Sequence, residues 1–273
     1  NTTGANNVAV GDLALDANTT ASNNTAVGRS ALGSNTTGAN NTGIGRLALY
    51  SNTTASHNNA LGYYALYTNT TGTRNNAVGN YALDANTTGN NNAAFGYGAL
   101  GANTTAHDNT AVGHAALYTA TTSEQNTAIG FEAAKLTTTG SYNVAVGHRA
   151  LEANTTANYN TALGCEALKV NVTGASNTAL GRYALGANTA GGNTAVGAYS
   201  CGTNTTGTDN VSVGKDSMQD NTTGSNNVAH ISKLKTSIKK ILSMSEKKEA
   251  EIVYRDTCLL YTSPSPRDAT LSR

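Results

Sequence analysis

Large side chains are scarce in this sequence. It has no Trp, two Phe and two Met, and aromatics make up 5% of it. A conventional bulky core is therefore out of reach. Proline is confined to Pro264 and Pro266. Three cysteines, Cys165, Cys201 and Cys258, stand at irregular spacings and provide no disulfide framework. Charged residues are 12% of the chain, where about a quarter is usual. Residues 1–228 hold 8 Lys/Arg and 11 Asp/Glu, which leaves no basic stripe to follow a nucleic acid. No apolar run is long enough to cross a membrane as a helix, so no insertion is expected from this stretch. The chain opens without Met in the middle of a pattern and reads as a fragment, so localisation signals are expected to lie outside it.

What is abundant, namely Asn, Thr, Gly and Ala, is periodic. An Asn recurs every 17 residues at Asn1, Asn18, Asn35, Asn52, Asn69, Asn86 and Asn103. Ala120 and Thr137 hold the same slot, and Asn154, Asn171 and Asn188 resume it. One residue is then dropped, and the last copies open at Asn204 and Asn221. The consensus is N-T-T-G-x-x-N-T-A-V-G-x-x-A-L-x-x. A fixed period of this kind marks a solenoid. The Gly and N-T-T in each copy break helical periodicity, so short strands joined by tight turns are expected. The fold class is all-β, a β-solenoid of about thirteen coils over 1–228, roughly 60 Å long at about 4.8 Å per coil.

Each copy carries two apolar pairs, such as Ala26-Val27 before a Gly and Ala31-Leu32 after it. The Gly between them, Gly11 to Gly214, is expected to hold a positive φ or to permit close backbone approach. A second Asn, at Asn7, Asn24, Asn41, Asn58 and Asn75, precedes the first pair. It predicts either an Asn ladder along the rod axis or a set of Asx-turns. Alternate strand residues face opposite sides. The near-invariant Ala of the first pair therefore suggests a second packed face, as in sheets buried on both sides. The rank of Ala9, Ala26 and Ala60, or that of Ala14, Ala31 and Ala65, is expected to meet partner chains. One Val and one Leu per coil contribute roughly 3–6 kcal/mol, a thin core for 17 ordered residues.

No catalytic, cofactor or metal constellation emerges. His114 and His148 share a slot two coils apart, roughly 10 Å, too far for one metal. The carboxylates are scattered and read as solubilising charges. The N-T-T openings are also N-x-[ST] sequons, but the simpler reading is that Asn and Thr suit a tight, hydrogen-bonded turn. Tyr50 and Tyr67 share a slot in adjacent copies, as do Tyr64 and Tyr81, and Tyr63 stands beside them. They predict either a cross-coil ladder or a ligand-contact patch.

The N-T-A-V-G-x-x-A-L unit resembles the head repeats of trimeric autotransporter adhesins, and the longer N-T-T-G form resembles the arrays of phage and bacterial tail-fibre-domain proteins. The resemblance covers 1–228. It implies left-handed β-rolls packed as a homotrimer. It further implies an extracellular, cell-surface or virion location, and partners such as a host-surface glycan or protein. Asn227-Val228-Ala229 followed by Leu234-Lys235 resembles the neck joining such heads to a stalk, and within 229–253 Ser232 to Ile241 resembles the start of the chaperone domain that ends many tail fibres. Ile231, Leu234, Ile238 and Ile241 predict a short amphipathic helix there. Residues 254–273 resemble translated sequencing-adapter read-through and are expected to be non-native. The expected function is a structural fibre segment displaying a receptor-binding surface. An ice-binding solenoid is the alternative. It ranks lower because an extended strand would turn one Thr of each adjacent Thr pair inward.

Overall fold

The computed structural model describes residues 2–230. They form one parallel β-solenoid of about thirteen coils. Each coil contributes one three-residue strand, from β1 (Val8–Val10) and β2 (Thr25–Val27) to β14 (Val228–His230). The fourteen strands make a single sheet in chain order, each paired in parallel and in register with the next. Successive strands are 17 residues apart, as in Thr110 opposite Thr127. The exception is the step from Thr178 to Thr194, 16 residues apart, where the sequence drops a residue. Among the described residues there is no helix. The expected helix after Ile231 and the expected non-native segment 254–273 lie outside the described residues.

The second apolar pair is not a strand. Its Leu sits in the left-handed region, with φ of 50° at Leu32 and 51° at Leu66. Ser30 at 57° and Asn23 at 60° complete three such residues in this coil. Each costs roughly 1–2 kcal/mol against ordinary backbone. Neighbouring coils hold them there. Leu32 N–H donates to Ala48 O at 2.9 Å, Ser30 N–H to Asp12 O at 2.8 Å and Asn23 N–H to Ala5 O at 3.0 Å.

The core corrects the expectation about Ala. Ala26, Ala77 and Ala111 are fully buried, as are Ala31 and Ala65 with their Leu partners. Both Ala ranks point into the coil, and the branched residue of the first pair points out. Ile44 and Leu61 are 36% and 48% exposed. Only Ala9, in the first coil, is exposed. The cause is width. At Gly43, the Gly of this rank, an added Cβ would stand 3.3 Å from Leu32 Cγ and 3.2 Å from Ala48 O. The interior accepts a methyl opposite a Leu and nothing larger. The Ala requirement therefore comes from the solenoid's own core, not from a partner chain.

The Gly after each strand shows both expected properties. Gly130 has φ of 137°, and a Cβ there would lie 2.4 Å from Gly147 O. Consecutive coils touch at this point through bare backbone.

Two Asn ranks line the rest of the interior. In the first, the backbone N–H of each Asn donates to Oδ1 of the Asn one coil before, from Asn24 onto Asn7 at 2.9 Å through Asn227 onto Asn210 at 3.0 Å. Its Nδ2 reaches forward to a backbone carbonyl of the next coil, as in Asn24 to Gly38 O at 2.9 Å and Asn58 to Gly72 O at 2.8 Å. The bonds run between coils, along the axis, rather than closing local turns. In the second rank, Asn35, Asn52 and Asn69 each donate Nδ2 to the preceding Asn Oδ1 at 2.9–3.0 Å. Each also donates to the carbonyl three residues on, closing its own corner. Buried amides normally require such partners.

Candidate functional site

Three strips run along the rod, each from one repeat slot. The first is the outer face of the sheet. Val27, Ile44, Leu61, Val78, Phe95, Val112, Ile129, Val146, Leu163 and Leu180 stand on it, all partly or largely exposed. Beside them the first strand residue also faces out, as Thr25, Thr42, Asn59, Asn76, Ala93 and Thr110. No Asp, Glu, Lys or Arg occupies either rank. The face is an uncharged stripe along the sheet. Contiguous apolar patches of such extent are uncommon on soluble monomers.

The second strip is aromatic. Tyr50 stacks on Tyr67 at 5.6 Å and 11°, and Tyr64 on Tyr81 at 5.7 Å and 27°. Tyr64 joins the two pairs through Tyr67 at 4.5 Å, and Tyr63 lies edge-on to Tyr64 and Tyr81. The five Tyr named from the sequence thus form one cluster. It continues beyond them. Tyr81 meets Tyr97 at 5.7 Å, and Tyr97, His114, Phe131 and His148 stack in file at 5.2–5.4 Å with planes 9–14° apart. The signal was in the sequence, since these four share the slot after Gly in consecutive copies, but the slot mixes three residue types.

Stacking decides what this strip offers. The faces of His114 and Phe131 are covered on both sides, so only edges reach solvent. Tyr63 differs: its neighbours are edge-on, at 63° and 88°. Arg46 caps it, with the guanidinium 5.5 Å from the ring and a 3.2 Å hydrogen bond to the hydroxyl. The hydrogen bond with Tyr63, and then burial, raises the Tyr64 phenol above its usual range. Burial raises that of Tyr81.

His114 and His148 are separated by the Phe131 ring, and among the described residues no group of three His, Cys, Asp or Glu is placed to hold a metal. Cys165 Sγ lies 4.0 Å from His148 Nδ1. Beside this file, the largest charge network among the described residues links Glu132, Lys135, Arg149 and Glu152. Glu132, with its side chain 10% exposed, accepts from Lys135 at 2.6 Å and Arg149 at 2.9 Å. The hydrogen bond from Lys135, then that from Arg149, holds its carboxyl below the usual range against burial.

The third strip is the N-T-T segment. Its Asn are buried, 0–1% exposed at Asn18, Asn35 and Asn52. In the folded rod these sequon amides are enclosed and bonded, which is turn chemistry. The segment is a bend rather than a strand, yet the Thr pair still divides into an inner and an outer member. Thr36 is half-buried with its hydroxyl on Thr53 O at 3.0 Å, and Thr37 is exposed.

No family model matches this chain, and searches of curated proteins and of solved structures return no significant match. No helix among the described residues is long and apolar enough to cross a membrane.

Proposed function

We propose that this chain is a structural fibre segment of a surface adhesin or phage-type tail fibre, assembled as a homotrimer and displaying a contact surface for a host glycan or protein. The single observation that carries this is the uncharged apolar stripe on the outer sheet face. Its half-exposed Ile, Leu and Phe side chains would gain burial against an equally uncharged apolar face, which the same stripe of further copies supplies. The left-handed winding implied by the repeat resemblance belongs to the same reading. Stacked coils supply a rigid scaffold whose variable slots change without disturbing the core. The Tyr50, Tyr63, Tyr64, Tyr67 and Tyr81 cluster is the contact patch, with the Arg46 cation over the Tyr63 ring adding a charge to it.

The test is binding of the labelled chain to a printed array of host-surface glycans. Retention should fall several-fold in Tyr63→Ala with Tyr67→Ala. Absence of binding by the intact chain, or binding indifferent to both substitutions, would remove the adhesive role.

A further inference from the structure

We propose that the N-T-T side of the rod binds ice. The exposed member of each Thr pair forms a rank at one coil spacing, as in Thr37, Thr54, Thr71, Thr88, Thr105 and Thr122. The rank runs on to Thr223 and is broken at Ala190. The two Thr of a pair have different roles. The inner hydroxyl is tied down, Thr36 to Thr53 O at 3.0 Å and Thr87 to Thr104 O at 3.0 Å. Within that run the outer hydroxyl bonds to no protein group among the described residues. The backbone beneath it is nonetheless fixed. Thr37 N–H donates to Thr53 O, and Thr88 N–H to Thr104 O, both at 3.2 Å.

The slots flanking the run carry few charges. The slot before the Asn is Ala, Ser or Thr from Ala17 to Thr119, and the slot two residues after the outer Thr holds no formal charge before Glu124. Arg74 and Asp108 stand one slot further on, at the coil corner.

Binding to liquid-exposed groups normally immobilises water, at up to about 2 kcal/mol for each molecule ordered. Water at an ice surface is already immobile, so that cost is absent. The protein side loses little freedom either, since Thr is stiff at χ1 and its backbone is held between coils. Each Thr offers a methyl and a free hydroxyl, a weak contact alone. A rank of them at constant spacing on a rigid rod makes the contacts simultaneous, and only a periodic, uncharged, ordered surface can meet them all. Ice has those properties. This side is a different segment of the coil from the sheet face, so the inference does not depend on trimer assembly.

The experiment is ice-crystal morphology and thermal hysteresis of the purified full chain at micromolar concentration. The expected result is faceted crystals and a measurable freezing gap. Thr88→Tyr with Thr105→Tyr should abolish most of the gap, and Arg182→Ala, on another slot, should leave it unchanged. Thr88→Ser with Thr105→Ser keeps the hydroxyls and cannot crowd the coils. It should reduce the gap several-fold through loss of methyls. Circular dichroism establishes that each variant is folded. Rounded crystals with the intact chain would overturn the proposal, as would a gap unchanged in the tyrosine and serine variants alike. Sedimentation of the same samples reports assembly separately: a monomer that facets ice contradicts the fibre reading and leaves this one standing.

Discussion

Asn103 and Ala120 hold the same ladder position one coil apart, and the buried Oδ1 of Asn103 accepts no hydrogen bond. Upstream, Asn103 Nδ2 still donates to Asn86 Oδ1 at 2.7 Å. The second Asn rank therefore stops at a buried, unsatisfied acceptor. Ala120→Asn should supply the missing donor and its own corner bond to Ser123 O. A gain of about 1 kcal/mol is expected, read as a higher urea midpoint at unchanged slope. A loss of stability would show that the gap accommodates something other than an amide.

In the first rank the N–H to Oδ1 chain is unbroken, although Nδ2 of Asn160 has no partner, and removing a member should be costly. Asn75 Oδ1 accepts from Asn92 N–H at 3.0 Å, and its Nδ2 donates to Gly89 O at 2.7 Å. Asn75→Ala leaves the buried Asn92 N–H without a partner, at about 1–3 kcal/mol, whereas Gly89 O keeps the Asn86 Nδ2 donor at 3.1 Å. Chemical denaturation should show a loss of about 1–3 kcal/mol. A loss under 0.5 kcal/mol, within the range of an ordinary surface substitution, would contradict the ladder's structural role.

Gly130→Ala should be worse tolerated than its single added carbon suggests. The new Cβ would meet Gly147 O at 2.4 Å and Gly147 C at 2.7 Å, at a φ of 137°. The strained backbone alone costs about 1–3 kcal/mol, and the clash forces neighbouring coils apart. The thermal midpoint should drop sharply, whereas Ala198→Gly, in the more variable slot after Gly197, should change it little.

Acid should weaken the middle of the rod. Glu132 and Glu166 are both held below the usual carboxylate range, each first by a lysine hydrogen bond, from Lys135 and Lys169 respectively. A depressed folded value means the stabilisation is fully present above the unfolded value, about 4.3. It is lost as pH falls from there through the folded value. Asp84 has the opposite sign, because burial raises its carboxyl; its charge opposes folding at neutral pH. Thermal melts from pH 7 to pH 3 should therefore show a smaller acid loss for Glu132→Gln than for the native chain. Asp84→Asn should raise the neutral-pH midpoint. Equal acid slopes for Glu132→Gln and the native chain would show that the network contributes nothing.

Much of this was legible because the sequence repeats itself. The period located every strand, the dropped residue near Asn188 located the short step, and Tyr50 with Tyr67 announced their own stack. The orientation of the coil was not legible. Val is larger and more apolar than Ala, so ordinary burial preference puts Val27 inside and Ala26 outside. The interior is too narrow for that, and width depends on the whole coil closing. The left-handed Leu32 was equally hidden, since a branched residue with positive φ is disfavoured locally and is held there only by the neighbouring coil. The adjacent Thr pair lies on a bend rather than a strand, yet Thr36 is tied to the next coil and Thr37 is exposed, the division a strand reading also expects.

The outward stripe is the central claim, and sedimentation equilibrium of the purified chain tests it most directly. The account predicts a mass near three times the 27.7 kDa of one chain. Ile129→Lys with Leu163→Lys, which places two charges on the sheet face without touching the Ala core, should convert it to folded monomer. A native chain that is monomeric and fully folded at micromolar concentration would contradict the account.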